Sequence, residues 1–421
     1  MTFQDLNLIK NIHQVLVEEN YIVPTPIQQK AIPIVLAGDD LVGIAQTGTG
    51  KTAAFSLPII NYLHPIIGGA MRRKTLRALV LAPTRELAIQ IQQNIENYAK
   101  YTHIKTAVIF GGVNQANQVD QLKSGIDILI ATPGRLLDLH KQGFVDLNNL
   151  HFLVLDEADL MLDMGFIHDV KKVMKLSPEN KQTLLFTATM SVEIREIAQF
   201  FLKDPKYITI APVVKTENNI AQSIYFLEKA DKKKLLYHLI RNEKIKNAIV
   251  FVRTKHGADN VVKHLKKNDV KAEAIHGDKT QTTRQRVLEA FKNQEIDILV
   301  ATDIAARGID IEQMPYVVNY DLPNISDTFI HRIGRTARNG ETGTAISFCS
   351  PDELTYWKDI LKLLKNTVKE VSDHPYPLTN STADQQALPA KNEKNEAEKS
   401  PKTNNFSRKS DQSKKNKKRW Y

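Results

Sequence analysis

The sequence predicts an α/β protein built as two domains in tandem, each a parallel sheet with helices on both faces, followed by a disordered basic tail. Three observations carry that prediction. Short continuous apolar runs alternate with longer helical patterns from about residue 38 to residue 210, and the alternation starts again after residue 219. Runs that are apolar throughout mark strands buried on both faces, as in a parallel sheet covered by crossover helices. The stretch between the two sets, 211–219, is polar and proline-marked, and a chain of 421 residues suits two domains of moderate size better than one.

Taken in order, the first domain, 1–210, has strand candidates at 40–44, 76–81, 106–110, 126–130, 151–155 and 183–186. Segments between them, such as 86–101, are long enough for right-handed helical crossovers. The linker is placed at 211–219. The second domain, 220–370, repeats the architecture with strands at 223–227, 248–252, 272–275, 296–301, 317–320 and 344–348. From 371 to 421 the periodicity is lost and polar residues dominate. Such a composition cannot bury enough apolar surface to offset the entropy of ordering the chain.

Charge and cysteine content bound the function. The formal net charge is +10, and eleven Lys and Arg against four Asp and Glu from Lys391 to Tyr421 place +7 of it in the tail. A basic tail is a common electrostatic hook for nucleic acid; a solubilising end is the alternative. Cys349 is the only cysteine, which excludes an intrachain disulfide and a cysteine-rich zinc site and suits a reducing compartment. No stretch approaches the roughly eighteen uncharged apolar residues of a membrane span, and the N-terminus lacks a basic-then-apolar leader pattern. The expectation is a cytoplasmic protein with no membrane partner.

The chemistry concentrates in a few motifs. Ala45-Gln46-Thr47-Gly48-Thr49-Gly50-Lys51-Thr52 follows the first strand candidate and precedes a helix candidate. That is the setting of a phosphate-binding loop, in which clustered backbone N–H groups and a helix N-terminus are aimed at the ligand. Thr47, Gly48, Thr49 and Gly50 form its turn, the glycines letting it curl without a side chain striking a phosphate. Lys51 should reach the β and γ phosphates of a nucleoside triphosphate, and the Thr52 hydroxyl should ligate Mg²⁺.

About a hundred residues on, an apolar run ends in Asp156-Glu157-Ala158-Asp159. A carboxylate at the end of a buried parallel strand emerges beside the phosphate loop. Asp156 is therefore the expected magnesium carboxylate, and Glu157 the group that orients and deprotonates the attacking water. Alone, the same residues would read as an acidic helix start. Arg335 and Arg338 are three apart and share a helical face. Opposite a γ-phosphate they would neutralise charge in the transition state, work that one arginine can make worth roughly 10³ to 10⁵ in rate. Backbone contacts to RNA or a solvated basic surface are the alternatives for both. His331 is placed either to bridge the domains or to pack within its own.

Together these motifs resemble the DEAD-box family of ATP-dependent RNA helicases, in particular its minimal bacterial members, over nearly everything from Phe3 to about Ser350. The resemblance implies RecA-like domains, with ATP and Mg²⁺ as cofactors. Asp156 to Asp159 is the name motif. Pro24-Thr25-Pro26-Ile27-Gln28 looks like the adenine-recognition motif, in which Gln28 would read the base edge while Phe3 stacks on the ring. By similarity, Thr187 and Thr189 of Thr187-Ala188-Thr189 couple hydrolysis to strand separation, and Asp303 faces the nucleotide. Pro83, Thr84, Arg85, Gly112, Thr132 and Arg135 would meet the RNA backbone from the first domain, and Gln281, Arg284 and Thr302 from the second. Phosphates carry no base code, so little sequence preference is expected. Asn20 stands where the family usually has Gly before an aromatic, here Tyr21, and Ala337 replaces a frequent Gly; neither removes a chemical group.

The implied activity is hydrolysis of ATP to ADP and phosphate coupled to local unwinding of short RNA duplexes or remodelling of ribonucleoprotein. The expected protein is a monomer whose protein partners belong to ribosome assembly or RNA decay. An ATP-gated RNA clamp that unwinds little, a DNA helicase and a nucleic-acid-independent ATPase remain as alternatives at this point.

Overall fold

The computed structural model describes residues 1–46, 48–67, 75–210, 219–306, 314–336, 342–364 and 368–378. Thr47, Arg338, the expected linker from 211 to 218 and the expected tail from 379 onward lie outside them. The first domain holds β1 (Leu41–Ile44), β2 (Ala78–Leu81), β3 (Thr106–Ile109), β4 (Ile128–Ala131), β5 (Phe152–Leu155), β6 (Gln182–Thr187) and β7 (Lys206–Thr209). They form one parallel sheet in the order β3-β4-β2-β5-β6-β1-β7. The second domain holds β8 (Ile220–Phe226), β9 (Ala248–Val252), β10 (Ala272–Ile275), β11 (Ile298–Thr302), β12 (Tyr316–Asn319), β13 (Gly343–Cys349) and β14 (Lys369–Glu370). Its sheet, also parallel, runs β10-β11-β9-β12-β13-β8-β14. Each strand takes the place of its counterpart seven earlier, so the two halves share one topology without sharing a sequence.

The apolar runs explain the layering. Every residue of β2, β4 and β5 is buried, which requires helices on both faces. One face of the first sheet packs against Phe55, Ile60 and Ile91, the other against Leu136, Val173 and Ile197. The second sheet is covered likewise, by Leu235, Val261 and Leu265 on one side and by Val287, Phe291, Phe329 and Trp357 on the other. Among the described residues, no helix is long and apolar enough to cross a membrane.

Two strands escape the pattern. β7 lies at a sheet edge with only Ile208 buried, and both residues of β14 are exposed, so neither presents an apolar run. The second half also continues past the expected boundary at 370. The Val371 N–H donates to Ile224 O at 2.9 Å, Val371 and Tyr376 pack against the core, and His374 meets the Tyr225 ring edge-on at 5.4 Å. These anchors stand singly among polar residues and prolines, which is why periodicity does not reveal them.

Parallel strands send all their C-terminal ends to one rim, where ligands of such sheets bind. Because β5, β6 and β1 are neighbours, the segments 45–50, 156–157 and 187–189 meet there. The ends of β2, β4 and β3 bring 83–85, 132–135 and 111–112 together beside them.

Candidate nucleotide and RNA site

The phosphate loop is built from both ends. Gly48 and Gly50 have φ of 78° and 91°, conformations in which a Cβ is strained, and a Cβ on Gly50 would strike the Gln28 carboxamide. The Thr49 hydroxyl donates to Gln46 O at 2.8 Å and its carbonyl accepts from the Thr25 hydroxyl at 2.8 Å. Lys51 opens the helix Lys51–Ile67, is buried, and donates from Nζ to Ala45 O at 3.2 Å. Ala45 needs no left-handed backbone, so the alanine found there costs the loop nothing.

Asp156 follows β5 and is fully enclosed, its backbone N–H donating to Leu81 O at 3.0 Å. Burial lifts its carboxyl to about 6, the nearby Lys51 charge opposing and Glu157 adding to the rise. Glu157 sits at φ 51°, ψ 56°, a left-handed conformation unusual for glutamate, at the N-terminus of the helix Ala158–Asp163. Backbone strain of this kind persists where the surroundings fix it, and it concentrates at functional sites.

Asp159, for which sequence reasoning gave no separate role, has a structural one. Its Oδ2 accepts from the N–H groups of Ala188 and Thr189 at 3.1 and 3.0 Å and from the Thr189 hydroxyl at 3.3 Å. Thr187, fully buried, donates to Thr189 O at 2.7 Å. The acidic motif and the Thr187-Ala188-Thr189 turn are thus mechanically joined. The available signal was a third carboxylate in register with two hydroxyls in a neighbouring strand end.

The residues expected around adenine are tied to one another and to the phosphate loop. Phe3 is 4% exposed and stacks on Tyr21, centroids 6.4 Å apart and planes 22° apart. Tyr21 is 39% exposed, so the open aromatic face belongs to it, with Phe3 as backing. Gln28 has both carboxamide ends engaged: Oε1 accepts from Thr25 N–H at 2.9 Å and Nε2 donates to Gly50 O at 3.2 Å. It ties the motif to the phosphate loop, and the carboxamide has a second N–H and a second lone pair with which to read a base edge. Asn20 adopts φ 55°, which accounts for Asn where Gly is usual, since both tolerate the left-handed region.

In the second domain Arg332 is the more deeply buried of the two described arginines in the segment 331–336. Its fork binds Asp303 at 2.6 and 2.7 Å, Nη1 donates to Asn319 Oδ1 at 3.2 Å and to Asp321 O at 2.6 Å, and the head lies 5.0 Å from the Phe251 ring centre. Asp303, expected at the nucleotide, has both oxygens on Arg332 and positions the segment that carries Arg335. Arg335 is 6% exposed, and its carbonyl accepts from Met314 N–H at 3.0 Å. His331 is half-buried in the last turn of the helix Ser326–Ile333.

The RNA-expected residues gather at the other group of strand ends. Pro83 is buried ahead of Thr84, which caps the helix Arg85–Tyr98 by accepting from Leu87 N–H at 3.3 Å. Gly112, φ 76°, lies directly under the Arg85 guanidinium, where a Cβ would clash. Thr132 is the N-cap of the helix Pro133–Lys141, and Arg135 on that helix donates to Val113 O at 3.3 Å. Gln281 begins the helix Gln281–Lys292 behind the Thr280 cap, and Thr302 ends β11 half-buried.

Arg284, expected on RNA, crosses to the first domain and pairs with Glu86 at 3.1 Å, both side chains nearly buried. Arg85 feels this crowding: burial first, then the charges of Arg284 and Arg135, hold its guanidinium below the usual range. Three cationic heads from three helices and two domains therefore converge. Among the described residues, Glu86 Oε1, Arg284 Nε and both polar atoms of the Gln281 carboxamide, three residues before Arg284 on the same helix, are buried without a hydrogen-bond partner.

Residues 25–197 match the DEAD/DEAH box helicase family and residues 231–340 the helicase conserved C-terminal domain. The chain is 41% identical to the ATP-dependent RNA helicase CshA of Limosilactobacillus reuteri over 367 residues, covering 87% of this chain and 72% of that protein. It is similar to the S. cerevisiae Dbp5 structure bound to RNA and ADP BeF3, at 30% identity and TM-score 0.76, covering 88% of this chain and 95% of that one. A DEAD-box protein from Methanococcus jannaschii is 37% identical, with TM-score 0.50, over 88% of this chain and 99% of that one. With the phosphate loop, the acidic motif and the paired sheets all in place, the chain belongs to the DEAD-box family of ATP-dependent RNA helicases.

Proposed function

We propose that the two domains close on ATP and a stretch of RNA, that closure distorts a short duplex locally, and that hydrolysis with phosphate release reopens the cleft. The observation that carries this reading is the Glu86–Arg284 pair, which joins the RNA-facing rims of both domains and leaves polar atoms in the same seam unpartnered. Phosphate and hydroxyl groups of an RNA backbone have the chemistry to satisfy such atoms, and the cluster of Arg85, Arg135 and Arg284 has the charge to hold them. The closer superposition on the RNA- and nucleotide-bound yeast protein than on the archaeal one, despite lower identity, supports a pairing of the halves compatible with both ligands.

At the nucleotide, Lys51 would exchange Ala45 O for phosphate oxygens, and the Tyr21 face would stack on adenine. Among the described residues there is no cluster of three or more His, Cys, Asp or Glu poised for a metal. The Thr52 hydroxyl and the Asp156 carboxylate are hard oxygen donors, and such a sparse set fits Mg²⁺, which is held mainly by substrate phosphates and water. When bound, the ion would neutralise charge on the phosphates. Glu157 would take the proton of the attacking water, and Asp159 would transmit the change to Thr187 and Thr189. Only differential affinity for the closed form drives the cycle.

Glu86→Gln and Arg284→Ala test the seam. Each leaves a buried charge uncompensated, which typically costs about 3–5 kcal/mol, here set against the closed form. Unwinding of a short RNA duplex should fall by at least about tenfold in each while ATP affinity holds. Parental unwinding in both would remove the seam from the mechanism.

A further inference from the structure

We propose that the outer face of the helices Lys232–Asn242 and Lys255–Lys267 is a second RNA-backbone surface, which holds the strand or duplex leaving the cleft. Residues 229–271 carry thirteen Lys and Arg against four Asp and Glu. Lys229, Lys232, Lys246, Arg253, Lys255 and Lys266 pair with carboxylates outside that span, and among the described residues Lys233, Lys263 and Lys267 are without such a pairing. Helical spacing aligns the last two. His256, Asn260, Lys263 and Lys267 are successive neighbours on one exposed stripe of the second helix, and Lys263 and Lys267, four apart, repel one another. Lys233 of the first helix reaches the same place. Burial, then the charges of Lys233 and Lys267, depress the pKa of His264, whose ring meets Tyr237 edge-on at 6.3 Å.

The nearby carboxylates do not neutralise this stripe. Asp231 binds Lys234 at 2.7 Å, and Asp259 turns to His276 at 3.1 Å and Lys279 at 2.9 Å. Glu243 and Asp269 are exposed beyond the helix ends. The stripe also starts in the right place. Thr254 caps the second helix immediately after β9, and Lys255 pairs at 2.8 Å with Asp278, in the loop that leads to Gln281. The stripe runs from the rim down the outside of the domain, its uncompensated cations Lys263 and Lys267 lying beside the Tyr237 and His264 rings. Flexible lysines that face solvent with few counter-ions suit a phosphate backbone read without sequence.

This inference rests on the cleft reading for where RNA enters, and one experiment separates the two. The full chain and its Lys233→Gln/Lys263→Gln/Lys267→Gln variant are titrated with oligouridylates of about 8 and about 30 nucleotides across a range of salt. Short-RNA affinity, and ATP turnover at saturating short RNA, should match the parent. Long-RNA affinity should fall about tenfold, with a salt slope shallower by roughly 0.7 for each phosphate that is no longer neutralised. A triple Lys→Arg variant, which keeps the charge, should bind the long RNA as the parent does. Equal long-RNA binding by the parent and the Gln variant overturns the proposal and leaves a solvated face or a surface for an acidic protein. Equal weakening on both RNAs also overturns it, because the lysines then act on the cleft. If short RNA fails to stimulate turnover in the parent, the cleft reading is what fails, and the long-RNA comparison still decides the surface.

Discussion

Glu157→Gln should lower ATP hydrolysis by about 10² to 10⁴-fold while leaving ATP and RNA affinity within about threefold of the parent. The side chain is held at the N-terminus of a helix in a left-handed backbone, next to a carboxyl already lifted by burial. An amide keeps its shape and most of its packing and removes only the capacity to accept the water's proton. Binding and chemistry should therefore separate cleanly. Single-turnover hydrolysis measures the effect, and a rate within about threefold of the parent would sink the assignment.

Arg335→Ala should lower RNA-stimulated turnover by about 10³-fold, with ATP affinity little changed. The neighbouring Arg332 is locked to Asp303, Asn319 and the Phe251 ring. Arg332 therefore builds the segment and is not itself free to meet a phosphate. Arg335, three residues on, is carried by that anchored segment and, on the proposed closure, would meet the nucleotide only when the halves come together. Since it is nearly buried, the melting temperature must accompany the kinetics, and Arg335→Lys should recover part of the rate by restoring charge without the planar fork. Unchanged turnover at saturating RNA in a folded Arg335→Ala protein would assign it a structural role.

Much of this was legible in the chain, for reasons that can be named. Parallel strands buried on both faces write continuous apolar runs, so twelve of the fourteen strands were visible. β7 and β14 were not, because edge strands with one or no buried residue leave no run. The placement of Gly48, Gly50, Lys51, Asp156 and Glu157 at one rim was readable because each follows a strand end within a few residues. The task of Asp303 was not, since it depends on which arginine of a distant segment folds inward. The stacking of Phe3 on Tyr21 was not legible, because the two rings are eighteen residues apart and no local pattern pairs them. The Glu86–Arg284 pair joins residues 198 positions apart across two domains, and no local pattern records it.

If one ATPase site is completed by two halves that RNA draws together, RNA must control the rate of hydrolysis. Steady-state ATP turnover of the full chain with and without RNA tests this most directly, with DNA of the same sequence as the third arm. A rise of at least about tenfold with RNA is expected, because each ligand must favour the closed form over the open one. Turnover equal in the presence and absence of RNA would contradict the split site, since the site would then be complete without closure.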